Sequence, residues 1–201
     1  CNSAFACPAI SDPNDYILDS GWFYDNNFHL NSAGSQVRTV LLAEDLLRYG
    51  PILTQVIPEL APLQGFDQRN RHHIYDAYTH TAHVVAAVPA DLTLRWAALL
   101  HDLGKPASFT LDEQGEGHFH GHAAISAELA NEILHRLKAP TALRERVVLL
   151  IEKHMTRFSL EKKTLRRQLG RLGWEVAEQL LALQEADMGS KGTGKPEEME
   201  Q

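Results

Sequence analysis

Two adjacent residues, His101 and Asp102, stand at the end of the apolar run LRWAALLHDLGKP. A carboxylate brought into apolar surroundings is costly unless it is paired or bound to a cation, and a divalent metal supplies that charge directly. Taken alone, a His-Asp doublet at a helix end is more often a solvated pair than a site. Here it has company. His80 lies in the preceding apolar segment (YTHTAH), His122 opens the next (HGHAAIS), His154 ends another (IEKH) and Asp187 closes the last (LQEAD). Imidazole with carboxylate suits Mn, Fe, Co, Ni and Zn, and carboxylate-rich sites also accept Mg, so the metal's identity stays open. Lys105 has two readings of equal weight, a positive charge set on a substrate phosphate or a basic residue favoured by the dipole at a helix C-terminus. His83, His118, His120 and His135 fit solvated or locally satisfied positions better than ligand positions.

Ligands spread over more than 100 residues can meet only if their helices pack together, and neighbours such as His101 and Asp102 point about 100° apart, so a shared ion must sit near the helix end. Apolar spacing predicts helices at 74–88, 91–103, 121–138, 141–156, 161–171 and 174–187. Trp96, Ala97, Leu99, Leu100, Leu149 and Ile151 lie on the apolar segments flanking the ligands and are expected in the core. Between the second and third helices, FTLDEQGEGHF at 109–119 has β-prone ends around a glycine-containing turn, as a small hairpin flap would. Upstream, Val37, Val40, Leu41, Leu42, Leu46 and Leu47 recur at helical spacing until Gly50-Pro51. A shorter helix follows at 52–57, and Pro58, Pro62 and Gly65 then break the chain. The expected organisation is a loop-rich segment at 1–35, a helical connector at 36–70, the ligand-bearing domain at 71–190 and a polar, disordered tail at 191–201.

Composition narrows the function classes. With 44% hydrophobic and 22% charged residues the chain is neither fibrous nor largely disordered. No apolar run approaches the roughly 18 residues of a membrane span, which predicts no membrane partner. Cys1 and Cys7 are the only cysteines, placed where they cannot staple a core, so a reducing cytoplasm is the expected location. A net charge of −7 argues against a surface that grips nucleic acid everywhere, although Lys162, Lys163, Arg166, Arg167 and Arg171 form one basic patch.

The ordered set His80, then His101-Asp102 followed by Leu103-Gly104-Lys105, then Asp187, resembles the H…HD…D signature of the HD superfamily of metal-dependent phosphohydrolases. More narrowly, residues 45–190 resemble the HD-containing part of bacterial CCA-adding tRNA nucleotidyltransferases of the poly(A) polymerase family, through HHIYDAYTHTAHVV, LRWAALLHDLGKPASFT, HFHGHAAISAELANEIL and LRRQLGRLGWEVAEQLLALQEAD. The nucleotidyltransferase head of that family has no counterpart in these residues, so nucleotide addition is not expected. The resemblance implies an all-α HD bundle in which His80, His101, Asp102 and Asp187 hold one divalent metal. His122 and His154 match positions that in some HD proteins bind a second; with one ion they contact phosphate instead. It further implies hydrolysis of a nucleotide, another phosphorylated small molecule or an RNA 3′ end such as that of tRNA, with Asp102 and Lys105 at the reacting centre. The competing reading is a non-catalytic HD scaffold that binds tRNA or a partner chain. Residues 21–47 also bear a faint resemblance to the end of an SGNH-type esterase, Asp25 and His29 mimicking its acid–base pair, but no serine nucleophile can be named and no esterase activity is expected.

Overall fold

A computed structural model describes residues 41–70 and 74–191. The segment 1–35, with Asp25 and His29, and nearly all of the expected tail lie outside the described residues. The fold is all-α, with one small two-stranded sheet. In chain order the elements are α1 (41–48), α2 (Gly50–Val56), a 3₁₀ turn (Pro58–Leu63), α3 (Ala77–Ala87), α4 (Leu92–Leu100), α5 (Lys105–Ser108), β1 (Thr110–Leu111), β2 (Gly117–His118), α6 (His122–Arg136), α7 (Thr141–Lys153), α8 (Lys162–Leu172) and α9 (Trp174–Gly189).

Gly50-Pro51 follows the end of α1 at residue 48, as expected, and also opens α2: Pro51 occupies the first turn, where its missing N–H costs nothing. Nor do Pro58 and Pro62 simply break the chain. They sit in a 3₁₀ turn that buries Leu60 and Leu63 fully against the core.

The bundle itself is built from α3, α4, α6, α7 and α9. α3 starts after Asp76, whose carboxylate accepts from Thr79 N at 2.6 Å, and α4 starts after Asp91, which caps Leu94 N at 2.9 Å. Ala97, Leu100, Leu134, Leu150, Ile151, Leu180 and Leu183 form the buried centre. Of the six expected core residues, Ala97, Leu100 and Ile151 are fully buried, whereas Trp96, Leu99 and Leu149 are only partly buried and pack on its rim. Their helices carry an apolar arc wider than the face that meets the bundle, so outer members of the arc stay half-covered.

The hairpin forms as β1 paired antiparallel with β2, Thr110 opposite His118 and Leu111 opposite Gly117. The end of the connector runs against it: Gly117 N donates to Arg69 O at 2.7 Å and Asn70 Nδ2 to Gly117 O at 3.3 Å. Glycine is required there, because a Cβ would collide with the Gln68 carbonyl and with Phe109 Cε2 at 2.7 Å. No helix among the described residues is long and apolar enough to cross a membrane.

Candidate metal centre

The seven residues singled out by sequence come from α3, α5, α6, α9 and the C-terminal ends of α4 and α7, and they converge. α4 ends at Leu100, so His101 and Asp102 fall on the turn beyond it, with His101 still in helical backbone geometry. His154 holds the same position after α7. Each ring then reaches back along its own helix. His101 Nδ1 lies 2.8 Å from Ala98 O and His154 Nδ1 lies 2.6 Å from Ile151 O, which satisfies carbonyls that the end of a helix leaves without partners. His122 Nδ1 makes the equivalent contact to Phe119 O at 2.7 Å, and His80 Nδ1 reaches Ser190 O at 3.2 Å across the bundle.

A carbonyl can only accept, so the proton of each neutral ring resides on Nδ1 and a bare lone pair is presented at Nε2. All four lone pairs point inward. His80 Nε2 is 3.0 Å from Asp187 Oδ1 and 3.7 Å from Asp102 Oδ2. His101 Nε2 is 3.1 Å from Asp102 Oδ2 and 4.0 Å from Asp187 Oδ1. On the other side of Asp102, His122 Nε2 stands 3.6 Å from Oδ1 and 3.2 Å from His154 Nε2. Asp102 therefore divides two sets of donor atoms, His80–His101–Asp102 and Asp102–His122–His154, each with its atoms within 4.8 Å of one another.

This donor set fits a divalent cation. His80, His101, Asp102, His122 and His154 are all buried, and His101 Nε2 and Asp102 Oδ2 make no hydrogen bond of acceptable geometry. Lys105 Nζ, at 2.7 Å from Oδ2, supplies charge to Asp102 as an ion pair. Electron-rich atoms held this close repel unless a proton or a cation lies among them. Electrostatics reflect the same crowding. Burial drives the His101 pKa down, but the Asp102 carboxylate outweighs it and the net shift is upward. Burial raises Asp102, yet His101 and Lys105 hold it well below the usual carboxylate range. Asp187 is likewise lowered, because its close contact with His80 and the nearby His101 overcome burial. His154, desolvated and facing His101, falls to about 4, and burial lowers His122 as well.

Beside these atoms opens a cavity of about 240 Å³, lined by Asp102, Lys105, His122, His154, Met155, Asp187, Lys191, Asn70 and hairpin residues Gly117 to His120. A larger groove of about 580 Å³, lined by Tyr75, His83, Glu185 and Ser190, includes none of the seven converging residues. His118 is satisfied locally, 2.9 Å from Asp112 and stacked on His120, while both line the cavity mouth. His83 leans on Tyr75, and His135 is exposed on α6.

Sequence reasoning missed Gln68. In the stretch GFDQRN it reads as part of a polar break, yet it is buried, receives a hydrogen bond from Lys105 Nζ at 2.6 Å and donates to Tyr75 O at 3.3 Å. Gln184 was missed too. Its amide donates to the carbonyls of His154 and Thr156, both at 2.7 Å, fixing the turn that carries His154. A signal existed there, since Gln184 interrupts the apolar face of α9 three residues before Asp187.

The HD domain family matches residues 72–191. An A-adding tRNA nucleotidyltransferase from Deinococcus radiodurans is 39% identical over 142 residues, covering 68% of this chain and 32% of that protein. A CC-adding tRNA nucleotidyltransferase from Thermus thermophilus is 41% identical over 128 residues, 61% of this chain and 29% of the relative. A multifunctional CCA protein from Azoarcus sp. is 40% identical over 116 residues, 54% and 27% respectively. The chain thus spans about a third of the length of these relatives. With that match laid over the buried His-Asp pair and the imidazoles around it, the chain belongs to the HD domain family.

Proposed function

We propose that the chain is a divalent-metal-dependent phosphohydrolase acting on nucleotides or RNA ends. The observation that carries this reading is the buried His101–Asp102 pair, with Nε2 and Oδ2 held 3.1 Å apart and aimed at the same space as His80 and Asp187. In this reading His80, His101, Asp102 and Asp187 hold one ion, and His122 and His154, with Asp102 Oδ1, offer a second place. A divalent cation so held supplies a water of lowered pKa and polarises a phosphoryl oxygen. The protein's own groups do the rest. Lys105 brings its ammonium to the cavity, where it binds a phosphate oxygen, and Gln68 Oε1 fixes that ammonium in direction. His154 is neutral at physiological pH by virtue of its lowered pKa, so its Nε2 is open to a ligand or a proton. Phe109 and Phe119 pack together at the two ends of the hairpin, and Phe119 lines the cavity. A nucleotide or RNA end as substrate is supported by the relatives, which are named for tRNA nucleotidyltransfer.

The test compares wild type with Asp102→Ala by metal analysis and by hydrolysis of a chromogenic phosphodiester with added Mn, Ni, Co or Mg. Wild type should retain metal and hydrolyse the ester. Asp102→Ala should lose both while its helical circular dichroism stays unchanged. Equal metal content and equal rates in the two proteins would defeat the assignment.

A further inference from the structure

Within its eleven residues helix α8 carries Lys162, Lys163, Arg166, Arg167 and Arg171, all exposed. At about 100° per residue these five side chains project over one half of the helix, and Leu165, Leu169 and Leu172 over the other. The apolar half faces the protein: Leu165 and Leu169 are half-buried and Leu172 packs on the core. Gln168 locks the helix in that rotation by accepting from Ser159 N and donating to Arg157 O, both at 3.0 Å. The cationic half is therefore held outward by the fold.

Several other cations have acidic neighbours: Arg136 pairs with Glu59, Arg146 with Glu175, Lys153 with Glu152 and Lys191 with Asp187. Among the described residues, none of the five cations of α8 forms an ion pair. In a chain of net charge −7, five unneutralised positive charges on one short helix form a local attractor for a polyanion.

The cavity beside Asp102, about 240 Å³, is smaller than the usual pocket for a drug-sized ligand. Any polynucleotide whose end enters it must leave its remaining residues on the outside. Met155 lines the cavity and is also exposed, and from it the chain runs through exposed Arg157 to the start of α8. Lys162 lies eight steps along the chain from His154, so even a fully extended path keeps the two within about 29 Å. Along the outer face, Lys163, Arg167 and Arg171 recur every four residues, which spaces the charges about 6 Å apart along the axis over about 12 Å.

We infer that α8 is a docking strip for the sugar–phosphate backbone of an RNA strand whose end enters the cavity beside Asp102. The inference rests on the proposed phosphohydrolase reading only for the position of that end; the strip itself binds phosphates through charge. An anionic membrane is disfavoured as the partner, because the apolar side of α8 is turned into the protein and offers nothing to insert.

The experiment uses the whole chain, and its probe is a fluorescent RNA hairpin with a single-stranded 3′ overhang, titrated over a range of salt concentrations. The comparison is Lys163→Glu/Arg167→Glu/Arg171→Glu, three exposed positions outside the centre. The variant should bind at least tenfold more weakly, and the slope of log affinity against log salt should shrink by about 2, as expected for three lost single-strand phosphate contacts. Its hydrolysis of a small chromogenic phosphodiester should match wild type. Equal affinity and equal salt slope in the two proteins would overturn the strip, as would α8-dependent binding to anionic vesicles with none to the RNA. If neither protein hydrolyses the small ester and RNA binding still depends on α8, the strip stands and the hydrolase reading falls.

Discussion

Each imidazole of the centre is oriented by one main-chain carbonyl, and Lys105 by two side chains, Asp102 and Gln68. Lys105 Nζ is shared between Asp102 Oδ2 at 2.7 Å and Gln68 Oε1 at 2.6 Å, in a spot almost closed to water. Gln68→Leu keeps similar bulk but leaves the ammonium one acceptor short and Tyr75 O without its donor. Unsatisfied buried groups of this kind cost about 1–3 kcal/mol, so the denaturant midpoint should fall accordingly, with a smaller loss for Gln68→Glu, which keeps an acceptor. Midpoints equal to wild type for Gln68→Leu would show that the lysine does not depend on this amide. Gln68 was hidden from sequence because its burial is set by the hairpin and by Lys105, 37 residues away. The residues that converge on the centre were legible for the opposite reason: each is a polar residue set against an apolar helical run, a contrast visible without knowing the fold.

At the scale of the elements, helices were readable from apolar spacing and their ends were not. The run expected at 91–103 stops at Leu100, because the chain turns at His101 to Gly104 and starts a new short helix, α5. The run expected at 141–156 stops at Lys153 for the same reason, as His154 leaves the helix. Both departures occur where a residue of the centre turns inward, a demand that periodicity does not encode. Gly104 permits the first of them. Its N–H donates to Ser126 Oγ at 2.8 Å, and a Cβ there would overlap the His122 carbonyl and lie 2.8 Å from Ile125 Cβ. Gly104→Ala should push α5 away from α6 at a cost of about 1–3 kcal/mol, as overpacking does. A melting temperature lowered by several degrees would agree with this, and an unchanged one would mean that the two helices are less closely packed than described.

For the molecule as a whole, a cation bound only by the folded chain must stabilise it, by about 2.7 kcal/mol at a hundredfold excess over its Kd. Adding Mn or Ni to chelator-treated protein should raise the melting temperature, chelator should reverse the rise, and Asp102→Ala should show none. The effect has a definite pH dependence. The raised pKa of His101 means that its bound proton stabilises the metal-free fold fully below the ordinary imidazole value and ceases to do so as pH climbs through the raised one. A cation needs that same Nε2 bare, so the metal-induced rise should grow from pH 6 to pH 8. A rise that is flat or shrinking over that interval would argue against His101 as a ligand.

The contact between His80 and Asp187 joins residues 107 apart in the chain, and this sets a timetable. A ribosome delivers α3 first and α9 last among these helices, and a domain folds as a unit. While α9 is still being made, His80, His101, Asp102, His122 and His154 have already emerged without the acidic partner and without the Ser190 carbonyl that orients His80. The nascent polypeptide therefore exposes a partial, softer set of donors to whatever ions surround it. On the proposed metal-binding reading, the full donor set for the ion exists only once the final helix closes the bundle.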